Sequence, residues 1–281
     1  MAISKEEFLL IRTFLHDHSG ILIGDGKEYL VENRLTVLMV QNGCENFFDL
    51  HKKLQKDTGP LRNKVIDAMT TNETLWFRDA SFAAVVSEAV LPQLVAKAAT
   101  QTVRIWSAAC STGQEPYSIG ILLHEEIKKL GAKGPPVSKF KILATDISPS
   151  AIMIAKTARY SQLAISRGMK PELLEKYFTK NGMVHEVKPE VRSLVEFKQF
   201  NLKDDFEQHG MFDFVMCRNV LIYFSEDLKR DIYRKIHRGL LKDGWLAIGA
   251  SESPRGYTDV FEQVIIKGAA LFRPKGVSKG A

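Results

Sequence analysis

Residues 104–120 read RIWSAACSTGQEPYSIG, and this stretch decides the fold. Val103–Ala108 is an apolar run of strand length. The small residues Ala109 to Thr112 follow, then Gly113 and Glu115. From Pro116, Tyr117, Ile119, Leu122, Leu123 and Ile127 recur at helical spacing. A strand, a loop of small side chains and a helix in that order leave the backbone open to close approach, beside the positive N-terminus of the helix. Open sheets of alternating strands and helices bind nucleotides at such loops. Gly113 is the only glycine of the loop, so it is neither a G-x-G-x-x-G fingerprint nor a P-loop.

Working outward, strand-length runs recur at Lys141–Thr145 (ending in Asp146), Val195–Phe200, Phe212–Cys217 and Trp245–Gly249. Ser148-Pro149 opens a helix, with proline in its first turn. Asp227–Leu241 reads as a helix closed by Lys242-Asp243-Gly244, and Gln263–Ile266 and Ala269–Phe272 make a last pair. The alternation predicts an α/β fold: a doubly wound, Rossmann-like and mostly parallel sheet covered on both faces. The closing pair requires one antiparallel strand. YFTKNGMVHE (177–186) contains Asn181-Gly182, a strong hairpin signal. With a turn at Lys188-Pro189-Glu190 and a strand-like Val191–Val195, it predicts a small antiparallel β insertion over about 177–195. Before residue 70 no strand alternation exists. Ser4 ahead of Glu6 and Glu7, then Phe8, Ile11 and Leu15, predict a capped helix ending near Gly20. A second helix ends near Asn42-Gly43, and two shorter ones flank Gly59-Pro60. The predicted organisation is therefore a helical domain at 1–70, a linker at 71–90 and an α/β domain at 91–281. Lys275–Ala281 reads as a frayed tail.

The 281 residues are 45% hydrophobic and 26% charged, which excludes a disordered or fibrous chain. Cys44, Cys110 and Cys217 are too few and too scattered for a disulfide framework or a zinc site, and read as reduced thiols of a cytoplasmic protein. Charges interrupt the first apolar stretch, so no signal peptide is expected. No uncharged apolar window of about 18 residues exists, so no membrane span is expected either. The net charge of +6 is uneven: residues 1–70 carry −1 and residues 71–281 carry +7. Such a basic half fits nucleic acid, an acidic protein surface, an anionic cofactor, or surplus solvated lysine.

Three further places carry candidate chemistry. Asp146, at a strand end, is placed to accept two ribose hydroxyls; GAKGPPVSK (131–139) accounts for its long spacing from the loop. Arg218 and Asn219 close the fourth strand on the cleft side. Tyr223 follows, either offering its hydroxyl or ring face to a ligand or packing with Phe224 in the core. TTNETLWFRD (70–79) runs polar, aromatic, then charged at the domain junction, a favoured place for ligand sites.

Taken together, TTNETLWFRD, RIWSAACSTGQEPYSIG, LATDIS (143–148), FKQFNL (197–202) and FDFVMCRNVLIYF (212–224) resemble the bacterial chemotaxis methyltransferases, the CheR family, over nearly the whole chain. The resemblance implies transfer of methyl groups from S-adenosylmethionine to chemoreceptor glutamates, with S-adenosylhomocysteine as product and no metal. It implies cofactor contacts from Asn72, Thr74, Arg78, Gly113, Glu115, Asp146, Asn201, Leu202, Arg218 and Asn219. Asn201 and Leu202 would lie near the adenine, and Arg78 and Tyr223 would orient the reacting groups. It also implies that the helical domain meets the cytoplasmic helical region of the receptors.

A glutamate side chain, with a reference pKa of about 4.3, is already a carboxylate at neutral pH, so the reaction needs placement rather than a general base. Two departures from the family pattern stand out. Relatives often carry several arginines on the second helix, whereas here it keeps Arg34 with Thr36 and Leu38 beside it. The hairpin turn is short where some relatives have a longer glycine-rich loop that holds a receptor C-terminal pentapeptide, so no strong tether is expected. Two rival readings are a nucleic-acid methyltransferase and an inactive cofactor-binding adaptor. Against the first, the fourth strand lacks the Asn/Asp-Pro-Pro-aromatic motif, and no aromatic platform or basic run is evident. Against the second stand Arg78, Asp146 and Asn219, all present.

Overall fold

The computed structural model describes residues 3–276. Four helices come first: α1 (Lys5–Ser19), α2 (Glu28–Gln41), α3 (Phe47–Lys56) and α4 (Pro60–Met69). The Ser4 hydroxyl accepts from the Glu7 amide, and the Glu7 carboxylate accepts from the Ser4 amide, closing a capping box. The other Glu7 oxygen accepts from the Phe47 amide at 2.9 Å, tying α1 to the start of α3. Burial works against the charged form of Glu7, but these hydrogen bonds outweigh it and hold the carboxyl below its ordinary range. Phe8, Ile11, Leu15, Val31, Leu35, Leu50 and Val65 form a core belonging to this domain.

The remainder builds a seven-stranded sheet in the order β6-β2-β1-β7-β8-β10-β9. Its strands are β1 (Val103–Ala108), β2 (Phe140–Asp146), β6 (Val195–Gln199), β7 (Phe212–Cys217), β8 (Leu240–Ile248), β9 (Phe261–Ile266) and β10 (Ala269–Pro274). The first five are parallel, and β10 runs antiparallel to both neighbours. Every residue of β7 is buried, as strands covered on both faces require. One face packs Ile105, Ile142 and Phe214 under Val85, Val90 and Leu91; the other packs Trp106, Val215 and Leu246 under Ile232 and Ile236.

Five details differ from the sequence reading. Residues 80–90, expected as linker, are helical. There α5 (Ala80–Val85) runs through a π-helical turn (Val86–Val90) into α6 (Leu91–Lys97) and covers the sheet. Pro92 has no N–H for the carbonyl four residues back, and the π turn absorbs the mismatch; the extra residue also breaks the 3.6 periodicity that reveals helices. Ala80–Lys97 is apolar enough to cross a bilayer by composition, at mean hydropathy 1.2, but its apolar side chains are spent on the sheet.

After α7 (Gln114–Lys129) and α8 (Pro149–Thr157), the insertion begins earlier than residue 177. It comprises β3 (Arg159–Ser161), α9 (Gln162–Ser166), α10 (Pro171–Tyr177), β4 (Phe178–Asn181) and β5 (Val184–Val187), its strands in the order β3-β5-β4. Asn181 pairs with Val184, so the turn residues are Gly182-Met183 rather than Asn181-Gly182. Gly182, at φ +61°, takes the first position, where glycine is favoured. Val191 lies not in a strand but in the short α11 (Pro189–Arg192), because proline opens a helical turn. Finally, α12 (Glu226–Gly239) passes directly into β8 at Leu240, and Lys242-Asp243-Gly244 forms a register irregularity inside that strand. Most of the expected frayed tail lies outside the described residues.

Candidate active site

The ends of β1, β2, β6 and β7 open onto a cleft roofed by the helical domain and by residues 69–78. The β1–α7 loop enters it without extra glycines because Ala109 (φ +63°) and Ser111 (φ +51°) take left-handed conformations. Hydrogen bonds maintain that strained path: the Cys110 amide donates to the Thr145 carbonyl and the Ser111 amide to Asp146 Oδ2, both at 2.8 Å. Gly113 does not line the cleft. A Cβ there would stand 2.9 Å from Ala155 Cβ and 3.0 Å from Tyr160 Oη. This glycine lets α7 pack against α8 and β3 instead.

Asp146 lies buried at the end of β2, with Oδ1 accepting from the Ser148 amide at 2.9 Å. Burial pushes its carboxyl above the ordinary range, although the bonds from Ser148 and Ser111 pull the other way. Each oxygen keeps a lone pair for a further donor.

Arg218, 3% exposed in its side chain, forms a buried node. Nη1 donates to Glu115 Oε2 at 3.1 Å; Nη2 donates to Asp79 Oδ2 at 2.6 Å and to the Arg78 carbonyl at 3.1 Å. Its guanidinium lies 3.8 Å from the Phe82 ring centroid. Glu115 Oε1 in turn accepts from the Ser107 hydroxyl. Arg218 therefore ties the junction segment to the sheet, and all its Nη partners are protein groups.

The junction itself is pinned by Trp76. Its buried ring meets Tyr160 and Phe178 edge-on, and its carbonyl lies so close to Gly168 that no side chain fits there. The Phe77 amide donates to the Ser118 hydroxyl. Trp76 is thus an anchor, and it leaves Arg78 facing the cleft. Among the described residues the Arg78 side chain has no carboxylate partner; its one hydrogen bond is to the Glu73 carbonyl at 3.5 Å. Asn72 lines the cleft, donating to Ser148 Oγ, while its carbonyl accepts from Ser111 Oγ. Thr74 lines it too.

The helical domain closes the other side. Asn201 Nδ2 donates to the His18 carbonyl at 2.8 Å, and Lys203 Nζ donates to the carbonyls of His16 and Asp17 at the C-terminus of α1, where a cation is favoured. Leu202 is buried between this strand end and the core. Ile21 pairs with Phe224, and the Leu22 amide donates to the Tyr223 carbonyl. Tyr223 is 37% exposed and lines the cleft. Arg34, the cation retained on α2, donates to the carbonyls of Met69 and Thr70 and to Thr71 Oγ1, so it caps α4 rather than standing free. One residue that sequence reasoning missed is Glu252, whose carboxylate accepts from the amides of Asn219, Val220, Leu221 and Gly249. Its only sequence signal is an acid three residues after a strand-ending glycine.

This arrangement has recognisable relatives. A family model described as the CheR methyltransferase all-alpha domain matches residues 6–70, and one described as the CheR methyltransferase SAM binding domain matches residues 72–269. The chain belongs to the CheR methyltransferase family. It is 44% identical to chemotaxis protein methyltransferase 1 of Pseudomonas aeruginosa, over 98% of this chain and the whole of that one. It is 42% identical to the chemotaxis protein methyltransferase Cher2 of Pseudomonas putida, at the same coverage. It is 30% identical to the chemotaxis protein methyltransferase of Salmonella typhimurium, over 97% and 91% of the two chains.

The protein is accordingly an S-adenosylmethionine-dependent methyltransferase, and its cleft suits that cofactor. Asn219 lines the cleft, and among the described residues its buried Oδ1 has no hydrogen-bond donor. Asp146 supplies an acceptor, and Phe77, Phe82, Ile119 and Leu122 supply apolar wall. Among the described residues no cluster of three His, Cys, Asp or Glu side chains is placed for a metal ion.

Proposed function

We propose that this protein methylates glutamate side chains on the cytoplasmic helices of chemoreceptors, forming glutamyl methyl esters and S-adenosylhomocysteine in the cytoplasm. The observation that carries the proposal is Arg78, a guanidinium without a carboxylate partner at the junction of the two domains. A carboxylate entering between the domains meets it there. S-adenosylmethionine supplies an electrophilic methyl group on a sulfonium, activated without help from the protein.

The chain has to bind, orient and keep the nucleophile free. Asp146 would take the ribose hydroxyls on the lone pairs that Ser111 and Ser148 leave open. Asn219 would contact the cofactor from the cleft wall, with Asn72, Thr74, Glu115, Asn201 and Leu202 completing the contact set. Gly113 would shape the loop that meets the cofactor, and Arg218 lines the cleft while holding the Arg78 carbonyl. Arg78 would hold the incoming carboxylate by one oxygen and leave the other as nucleophile; a full bidentate pair would quench it. Tyr223, at the cleft edge, would orient the same group through its hydroxyl. No proton moves, because glutamate is ionised at neutral pH.

Receptor recognition falls to surfaces other than Arg34, which is engaged within the protein. The two-residue turn Gly182-Met183 supports the absence of a strong pentapeptide tether. The test is transfer of labelled methyl from S-adenosylmethionine onto receptor-containing membranes, followed by mild base. Label released as methanol supports a carboxyl ester. Base-stable label refutes it in favour of nitrogen methylation. No label with cofactor binding intact favours an adaptor or a mismatched receptor.

A further inference from the structure

Asn219 has φ +57°, a left-handed conformation that a residue with a side chain adopts only when something holds it. Asparagine tolerates this better than most residues. From that point three successive amides, of Asn219, Val220 and Leu221, converge on one concave spot. Such a run of N–H groups is an anion-binding nest. The anion here is the Glu252 carboxylate. Oε2 accepts from Asn219 N at 2.6 Å and from Gly249 N at 2.7 Å; Oε1 accepts from Leu221 N at 2.8 Å and from Val220 N at 3.1 Å. Gly249 is needed for this closeness: a Cβ there would stand 2.6 Å from Glu252 Oε2 and 2.7 Å from Asn219 Nδ2.

One side chain thus clamps the exits of β7 and β8 together and sets the turn that carries both Asn219 and Tyr223. The turn is held from its other end by the helical domain, through Leu22 N and the Tyr223 carbonyl. We infer that Glu252 is a positioning residue of the methyl-transfer site, acting through Asn219: its carboxylate fixes the left-handed backbone of a residue that lines the cofactor cleft. The inference rests on the proposed role of Asn219 toward S-adenosylmethionine.

Glutamine at this position keeps size but turns one acceptor into a donor facing two backbone N–H groups. Calorimetry with S-adenosylhomocysteine on the full chain reads the consequence without requiring turnover. Wild type is measured first; no binding there refutes the cofactor reading itself and leaves Glu252 out of account. Given binding, Glu252→Gln is expected to weaken it about ten- to a hundredfold, the scale of losing one hydrogen bond to a charged group. Hydrogen exchange at the amides of residues 219–221 should accelerate. Asn219→Ala should weaken binding to a similar degree, and Glu252→Gln added to Asn219→Ala should cost little more, because one acts through the other. In Glu252→Ala, formate can enter the nest and should restore part of the affinity relative to chloride at equal ionic strength. Affinity within twofold of wild type in Glu252→Gln, or full additivity with Asn219→Ala, overturns the inference. So does loss of folding in both Glu252 variants with or without formate, which would make Glu252 a support of the whole domain.

Discussion

Replacing Arg218 by methionine tests the node that joins the interdomain segment to the sheet. The magnitude follows from its partners' surroundings. Asp79 is 38% exposed, so its ion pair is screened and worth at most about 1 kcal/mol. Glu115 is 15% exposed, and the Arg218 side chain 3%. Removing Arg218 leaves the Glu115 carboxylate largely buried with only the Ser107 hydroxyl as donor, and the Arg78 carbonyl loses this bond. Breaking a buried pair from one side costs about 3–5 kcal/mol. For an α/β domain of this size that lowers Tm by roughly 6–20 °C. Adding Glu115→Gln removes the stranded charge, and should return about half of the loss. Urea denaturation of wild type, Arg218→Met and the double variant measures all three. A loss under about 1 kcal/mol, or a double variant no more stable than the single, would show that Glu115 finds solvent and that the node carries no such energy.

Arg78→Ala should lower kcat by about a hundredfold, on the scale of losing one charge-stabilising donor, while S-adenosylhomocysteine affinity stays within about threefold; equal losses in rate and affinity would reduce Arg78 to a binding residue. Burial, with the nearby cations Lys198 and Arg104, holds His209 below the ordinary histidine value of 6.5. The unfolded chain then binds more protons than the folded one as pH drops from there, so stability should fall below about pH 6.5 and rise again with pH. Denaturation midpoints across that range should flatten in His209→Gln, and an unchanged slope would assign the effect elsewhere. Calorimetry with a receptor-type C-terminal pentapeptide should detect no micromolar binding at the β insertion, and a micromolar Kd would refute that expectation. Trp76→Ala should cost about 3–5 kcal/mol, as truncation of a buried tryptophan does, and should weaken cofactor binding together with stability; a variant that keeps both would show that the segment is fixed without its anchor.

The alternation of strands and helices, the capped α1, the small-residue loop after β1 and the acid closing β2 all follow from short-range chemistry: side-chain periodicity, turn preference and capping. They could therefore be read along the chain. Helix α5–α6 could not, because the π turn ahead of Pro92 disturbs the period that marks a helix. The hairpin shifted by one residue because Asn181-Gly182 and Gly182-Met183 are both acceptable two-residue turns, and cross-strand packing chooses between them.

The fold class and the family pattern could be read from the sequence alone, since each rests on local spacing or on intact motifs. Only the tertiary structure shows which contacts individual residues make. Gly113 is a packing glycine, Arg34 a helix cap, Trp76 an anchor, Arg218 a tie, and Glu252 the anion under the Asn219 turn. Asn201 reaching the carbonyl of His18, 183 residues away, shows why. A buried polar group takes whichever partner packing brings within hydrogen-bond distance, and separation along the chain says nothing about which one that is.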